Sequence, residues 1–202
     1  MNFRTFMVGN LEKWRALLAQ TRIIYWFDND LFPKSSEQLL EFEEQAGFPL
    51  PSEYKEYCQV FGPGRFTKNW FTINCSDPND IGQEPISNPD TIAAIKGSWP
   101  YSEDVHKLLD SAYIFGIGDG YIFFLFDLRT YSESDQSYDI YVMDDEREHT
   151  VHYLGRSFFE FIRDICLSDR VSLEFPALLN LPEDPDDIAT DFGQQAFVPY
   201  EK

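Results

Sequence analysis

Apolar residues change their spacing partway along this chain, and that change limits the architectures open to it. Up to residue 61, apart from a mixed stretch of aromatics, acids and a proline over 21–34 that has no assignable period, they recur at helical intervals. Leu11, Trp14, Leu17 and Leu18 share one face, Leu39, Phe42 and Ala46 a second, and Tyr54, Tyr57, Cys58 and Phe61 a third. From residue 70 the pattern becomes that of strands: WFTIN at 70–74, YIFGIGDGYIFFLFDL at 113–128, DIYVM at 139–143 and TVHYLG at 150–155. A short helix opened by Pro89 interrupts this run over residues 89–96, and an amphipathic helix with Phe158, Phe161, Ile162 and Ile165 on one face follows it. Helices first, then consecutive strands, then a helix is an α+β order rather than βαβ alternation. The expected fold is one domain with a mainly antiparallel sheet and helices packed on it.

The punctuation agrees with those periods. Asn10 is placed to cap the first helix, and Ser35 with Gln38 makes a capping box for the second. Gly47 stops that helix, Pro51 fits the first turn of the next, and Gly62-Pro63-Gly64 ends it. Gly118-Asp119-Gly120 is a hairpin signal between two strands, and Ser157 with Glu160 opens the last helix. The chain therefore divides into an N-terminal helix and connecting segment (1–34), a domain over 35–168, and an acidic, proline-containing extension over 169–202. Phe192, Phe197 and Tyr200 of that extension either dock on the domain or stay loose, and the extension is expected to be dispensable for folding.

Nineteen Phe and eleven Tyr among 202 residues require a largely aromatic core. Acids outnumber bases by 35 to 16, a formal net charge of -19. Such a surface repels nucleic-acid backbones and anionic membranes and attracts basic partners, although acidity also serves solubility alone. The apolar run YIFFLF is far too short to span a bilayer, and the N-terminus lacks a continuous apolar stretch with a cleavage site. Cys58, Cys75 and Cys166 form no CxxC pair and read as small buried hydrophobes. The expectation is a soluble, cytoplasmic protein.

No motif for catalysis survives its context. GIGDG at 116–120 is followed by a strand where a dinucleotide loop needs a helix, and Tyr121 stands where the next glycine belongs. His149 and His152, three apart in a strand, fall on opposite faces, and His106 stands alone. SDPNDIGQE at 76–84 has Asp77 and Asn79 in calcium-loop positions, but Ile81 takes a ligand position and Asn88 replaces the closing Glu. There is no GxSxG, HExxH or lysine-bearing phosphate loop. No enzyme activity, cofactor or metal is expected.

An acidic helix ending in Gly47, then Leu50-Pro51, then a helix bearing Tyr54, Lys55 and Tyr57, then Gly62-Pro63-Gly64, resembles the SUKH superfamily. Glu43 and Glu44 belong to the same match. Ile114-Phe115-Gly116, Gly120 and the strand ending at Asp127 resemble its central hairpin. Ile140-Tyr141-Val142, Leu154-Gly155, Ser157-Phe158 and Phe161-Ile162 resemble its closing strands and helix. The resemblance covers residues 35–168. It implies a binding protein without a catalytic set: a bacterial immunity protein that neutralises a cognate, basic toxin by direct association. The alternative is a regulatory or scaffold module recruiting cytosolic proteins, like fungal members of the group.

One stretch suggests where a partner would bind. Between residues 131 and 148 stand Glu133, Asp135, Asp139, Asp144, Asp145, Glu146 and Glu148, against Arg147 alone. Glu133 and Asp135 lie in a polar loop, and Asp144, Asp145, Glu146 and Glu148 in a turn between strands. Both are expected to be exposed on one edge of the sheet, as a steering patch for a basic partner or as solvated loops kept acidic for solubility.

Overall fold

The computed structural model describes residues 10–24, 30–66, 71–76, 89–118, 122–145, 149–168 and 196–199. Asp119-Gly120 of the hairpin turn, the calcium-like stretch from Asp77 onward, Glu146, Glu148, Phe192 and Tyr200 lie outside them. The helices are α1 (Leu11–Gln20), α2 (Ser36–Ala46), α3 (Ser52–Val60), α4 (Pro89–Ser98), α5 (Glu103–Leu109) and α6 (Phe158–Glu160), the last continuing as a π-helical segment (Phe161–Cys166). The strands are β1 (Arg22–Ile23), β2 (Gly64–Phe66), β3 (Phe71–Ile73), β4 (Ala112–Ile117), β5 (Ile122–Ser132), β6 (Ser137–Asp144), β7 (Val151–Gly155) and β8 (Ala196–Pro199).

These strands form one sheet in the order β1-β8-β2-β3-β4-β5-β6-β7. Every pair is antiparallel except β1 with β8. The architecture is thus α+β, as the order of hydrophobic periods predicts.

Alternation along the central strands sends side chains to two apolar layers. Tyr113, Phe115, Phe124, Phe126, Ile140 and Val142 join Trp14, Tyr54, Tyr57, Phe61, Phe158 and Phe161 in the larger core. Ile114, Phe123, Leu125 and Met143 face the other way and are covered by Ile95 of α4, Leu108 and Leu109 of α5, and Tyr101 between them. That double burial explains why β5 reads as a continuous apolar run.

Local signals act as their chemistry predicts, with two adjustments. Ser35 Oγ accepts the Gln38 N–H while Gln38 Oε1 accepts the Ser35 N–H, so the box is closed in both directions. Gly47 sits at φ 79, the left-handed conformation a helix stop needs. Asn10, by contrast, makes no side-chain cap; its backbone N–H donates to Glu56 Oε1 at 2.9 Å. Pro51 occupies the cap position itself, one residue before the first turn.

Two elements carry weaker sequence signals. Helix α5 is capped by Ser102, whose Oγ accepts the Val105 N–H. Strand β8 lies between β1 and β2, with Phe197 fully buried in the larger core. Residues 196–199 of the extension therefore form a strand of the sheet, and Phe197 docks on the domain rather than staying loose.

Candidate partner-binding surface

The residues of the Leu-Pro motif are joints. Glu43 Oε1 accepts the backbone N–H of Leu50 and the Lys55 ammonium, each at 2.7 Å, which folds the end of α2 back against α3. The connection between them is fastened to the far hairpin. Tyr138 donates its hydroxyl to the Pro49 carbonyl, and Ser52 donates its N–H to the Gln136 carbonyl, both at 2.9 Å.

Tyr54, fully buried, donates to the Asn74 carbonyl at 2.8 Å and lies in a hydroxyl chain with Ser76 and Tyr113. Burial, followed by its neighbours Tyr113 and the Cys58 and Cys75 thiols, pushes that phenol well above its ordinary range. It is a neutral tether. Glu56 takes the Trp14 indole N–H at 2.9 Å, and Glu53 takes Ser157 Oγ and the Phe159 N–H, so α3 holds α1 on one side and α6 on the other. Each of these groups is occupied in holding the fold. Among the described residues no group of His, Cys, Asp and Glu is arranged to hold a metal, and no helix is long and apolar enough to cross a membrane.

The acidic stretch divides in two. Residues 131–139 are not a loose loop: β5 runs on through Ser132, a four-residue turn follows, and Ser137 already belongs to β6. Glu133 and Asp135 sit exposed on that turn, before the first residue of β6, whereas Asp144 and Asp145 sit at its other end. Eight residues of strand place the two groups about 24 Å apart at ~3.4 Å per residue. They do not share one edge.

Nor is the second group fully exposed. Asp144 is 2% exposed. Asp145 is half-buried, with Oδ1 accepting Ser98 Oγ at 2.6 Å and the Tyr101 hydroxyl as well. Burial and then the Asp145 carboxylate push the Tyr101 phenol far above its ordinary range, which fixes it as the donor. Beside them Trp99 stacks on His149 with ring centroids 3.8 Å apart. This end is a clasp between the α4–α5 connection and the β6–β7 turn.

The exposed acids at the first end have company the sequence reading did not assign to them. Helix α2 displays Glu37, Glu41 and Glu44 on its open face. Its end reaches the β5–β6 turn, since Glu43, Glu133 and Asp135 all act on Tyr131, whose phenol is raised first by burial and then by those three carboxylates. The available signal was the spacing of acids along the polar face of α2. Asp135 itself is held below the ordinary carboxylate range, chiefly by Ser132, with Ser137 and the Arg156 guanidinium 3.6 Å away assisting.

No curated protein and no solved structure gives a significant match to the chain. The model of the SMI1 / KNR4 family (SUKH-1) matches residues 33–164, the span from the approach to α2 into the final helix. Most of the chain lies within that match, so this protein belongs to the SMI1 / KNR4 (SUKH-1) family.

Proposed function

We propose that this protein is an immunity-type binding protein that neutralises a cognate bacterial toxin by direct association in the cytoplasm. Family membership over residues 33–164 is the observation that carries the reading. The surface proposed for the partner is the acidic region formed by Glu133 and Asp135 on the β5–β6 turn with the open face of α2. A toxin that acts on nucleic acid needs a basic cleft, and carboxylates can occupy such a cleft in place of phosphate. Asp145, at the other end of β6, and Glu146 and Glu148, which follow it in sequence, remain part of the proposed field, while Asp144 is too buried to present its carboxylate.

Co-expression tests the proposal. Any toxin domain encoded beside this gene is expressed in cells with and without the protein. Restored growth and a stable complex on purification support the reading. A toxin that kills equally in both strains, with no complex, overturns it.

A further inference from the structure

The helical cover over the second apolar layer thins toward β7. Helices α4 and α5 close over Ile114, Phe123, Leu125 and Met143, but Tyr141 and Val151 are only partly buried beside that layer. Tyr153, opposite Tyr141 in the β6–β7 register, is 55% exposed, the highest of the large apolar side chains among the described residues. The two rings lie 5.5 Å apart at 61°. At that angle they form a corner rather than a stack, and the exposure of Tyr153 leaves it open to solvent.

A carboxylate stands beside this corner. Burial raises both phenols, and after burial the largest cause in each is the charge of Asp139. The local charges do not balance. Arg129 is held by Asp127 through two hydrogen bonds, at 2.8 and 2.6 Å. Arg156 is held by Asp139 at 2.6 Å, with Asp135 3.6 Å away. Two guanidiniums thus serve three carboxylates. Arg156 is further tied to Ser137 and to the Thr130 carbonyl, so it is anchored away from the tyrosines. Among the described residues no cation lies over either ring.

Charge and ring geometry together select the occupant. An apolar group would cover the surplus charge without pairing it, and an acidic one would be repelled by it and by a chain of net charge -19. A guanidinium suits both features, because its plane stacks on an aromatic face while its N–H groups donate to a carboxylate. A carboxylate accepts several hydrogen bonds, so Asp139 can serve Arg156 and a second guanidinium together. We propose that the Tyr141–Tyr153 corner, with Asp139 beside it, receives an arginine side chain of a basic protein partner. Tyrosines are enriched at the energetic centres of interfaces. Asp135, joined to Asp139 through Arg156, already belongs to the acidic surface proposed above. The site shares with the toxin reading only the premise that the partner is basic.

Titration of the full chain with the peptide acetyl-Gly-Arg-Gly-amide, up to about 20 mM, tests this through the NMR signals of the tyrosine rings. The Tyr153 signal, identified by its loss in Tyr153→Leu, should shift saturably with a dissociation constant of about 1–10 mM. The arginine δ-methylene protons of the peptide should move upfield, the ring-current mark of lying over an aromatic face. The citrulline peptide, which has the same shape without the charge, should bind at least ~5-fold more weakly. Tyr153→Phe keeps the ring and should keep the binding, whereas Tyr153→Leu should weaken it at least ~5-fold. Absence of a saturable shift at Tyr153 overturns the proposal, as does equal binding of the citrulline peptide. So does a Tyr153→Leu variant that binds like the unmodified protein, or a Tyr153→Phe variant that loses as much as Tyr153→Leu. This titration and the co-expression test fail independently: neutralisation without a shift at Tyr153 keeps the toxin reading and removes the site, and the reverse keeps the site alone.

Discussion

The ring of Phe197 fills the space that a side chain at position 64 would need: a Cβ there would meet the Phe197 ring and the Val198 carbonyl. Gly64 belongs to the glycine-rich stop after α3, inside the span the family model matches, and Phe197 to the far end of the chain, outside it. A glycine that sequence assigns to ending a helix therefore also admits β8 beside β2. The same ring meets Phe61 edge-on at 5.3 Å, so the last strand is packed against the middle of the core.

Phe197→Ala should destabilise the protein by about 3–5 kcal/mol, the usual cost of emptying a buried aromatic site. Gly64→Ala should cost about 1–3 kcal/mol through overpacking. The two should couple, because much of the clash at position 64 is with the ring that the first substitution removes. Urea unfolding of both single variants and the double variant measures this. Strictly additive losses would mean that the two sites do not share that space.

Glu53 predicts an acid limb in the stability profile. Burial alone would raise its carboxyl, but Lys13, the Phe159 N–H and Ser157 outweigh that and hold it below its ordinary value of 4.5. A lowered folded-state pKa gives stability that is fully present above the unfolded value and lost as pH falls through the folded one. The deficit of Glu53→Gln relative to the unmodified protein should thus be largest near neutrality and shrink below about pH 4.5. Denaturant titrations between about pH 3 and 7 give the comparison. A deficit that grows toward acid would reverse the assigned sign.

Charge reversal separates the two ends of β6. If the partner is basic and approaches the β5–β6 turn, Glu133→Lys with Asp135→Lys should slow its association about 10-fold at low salt, with less effect at high salt and little change in dissociation. Asp145→Asn should act differently, loosening the clasp with Ser98 and Tyr101 and lowering thermal stability, while slowing association much less than the double reversal because it removes one charge of the field and reverses none. Stopped-flow kinetics with the identified toxin across ionic strength decides between them. Equal association rates for the double-lysine variant and the unmodified protein at low salt would place docking elsewhere.

What the sequence determined by itself was local. The capping box at Ser35, the left-handed stop at Gly47, the helical faces and the strand runs each depend on residues a few positions apart, so a window of sequence contains the whole physical cause. The α+β order followed from those windows. The acids around β6 were legible as a cluster, and their separation was not. In sequence, Asp135 and Asp144 are close, but the eight-residue strand between the turn and Asp144 holds them far apart, and burial of Asp144 depends on strands and helices that meet it from elsewhere. The place of β8 was decided the same way. AFVP is too short to declare itself a strand, and Phe197 acquires its role only because Gly64, Phe61 and β1 leave a space that an aromatic ring from the other end of the chain can fill. Pairing between distant segments is governed by shape and burial in the assembled core, which no local pattern of residues encodes.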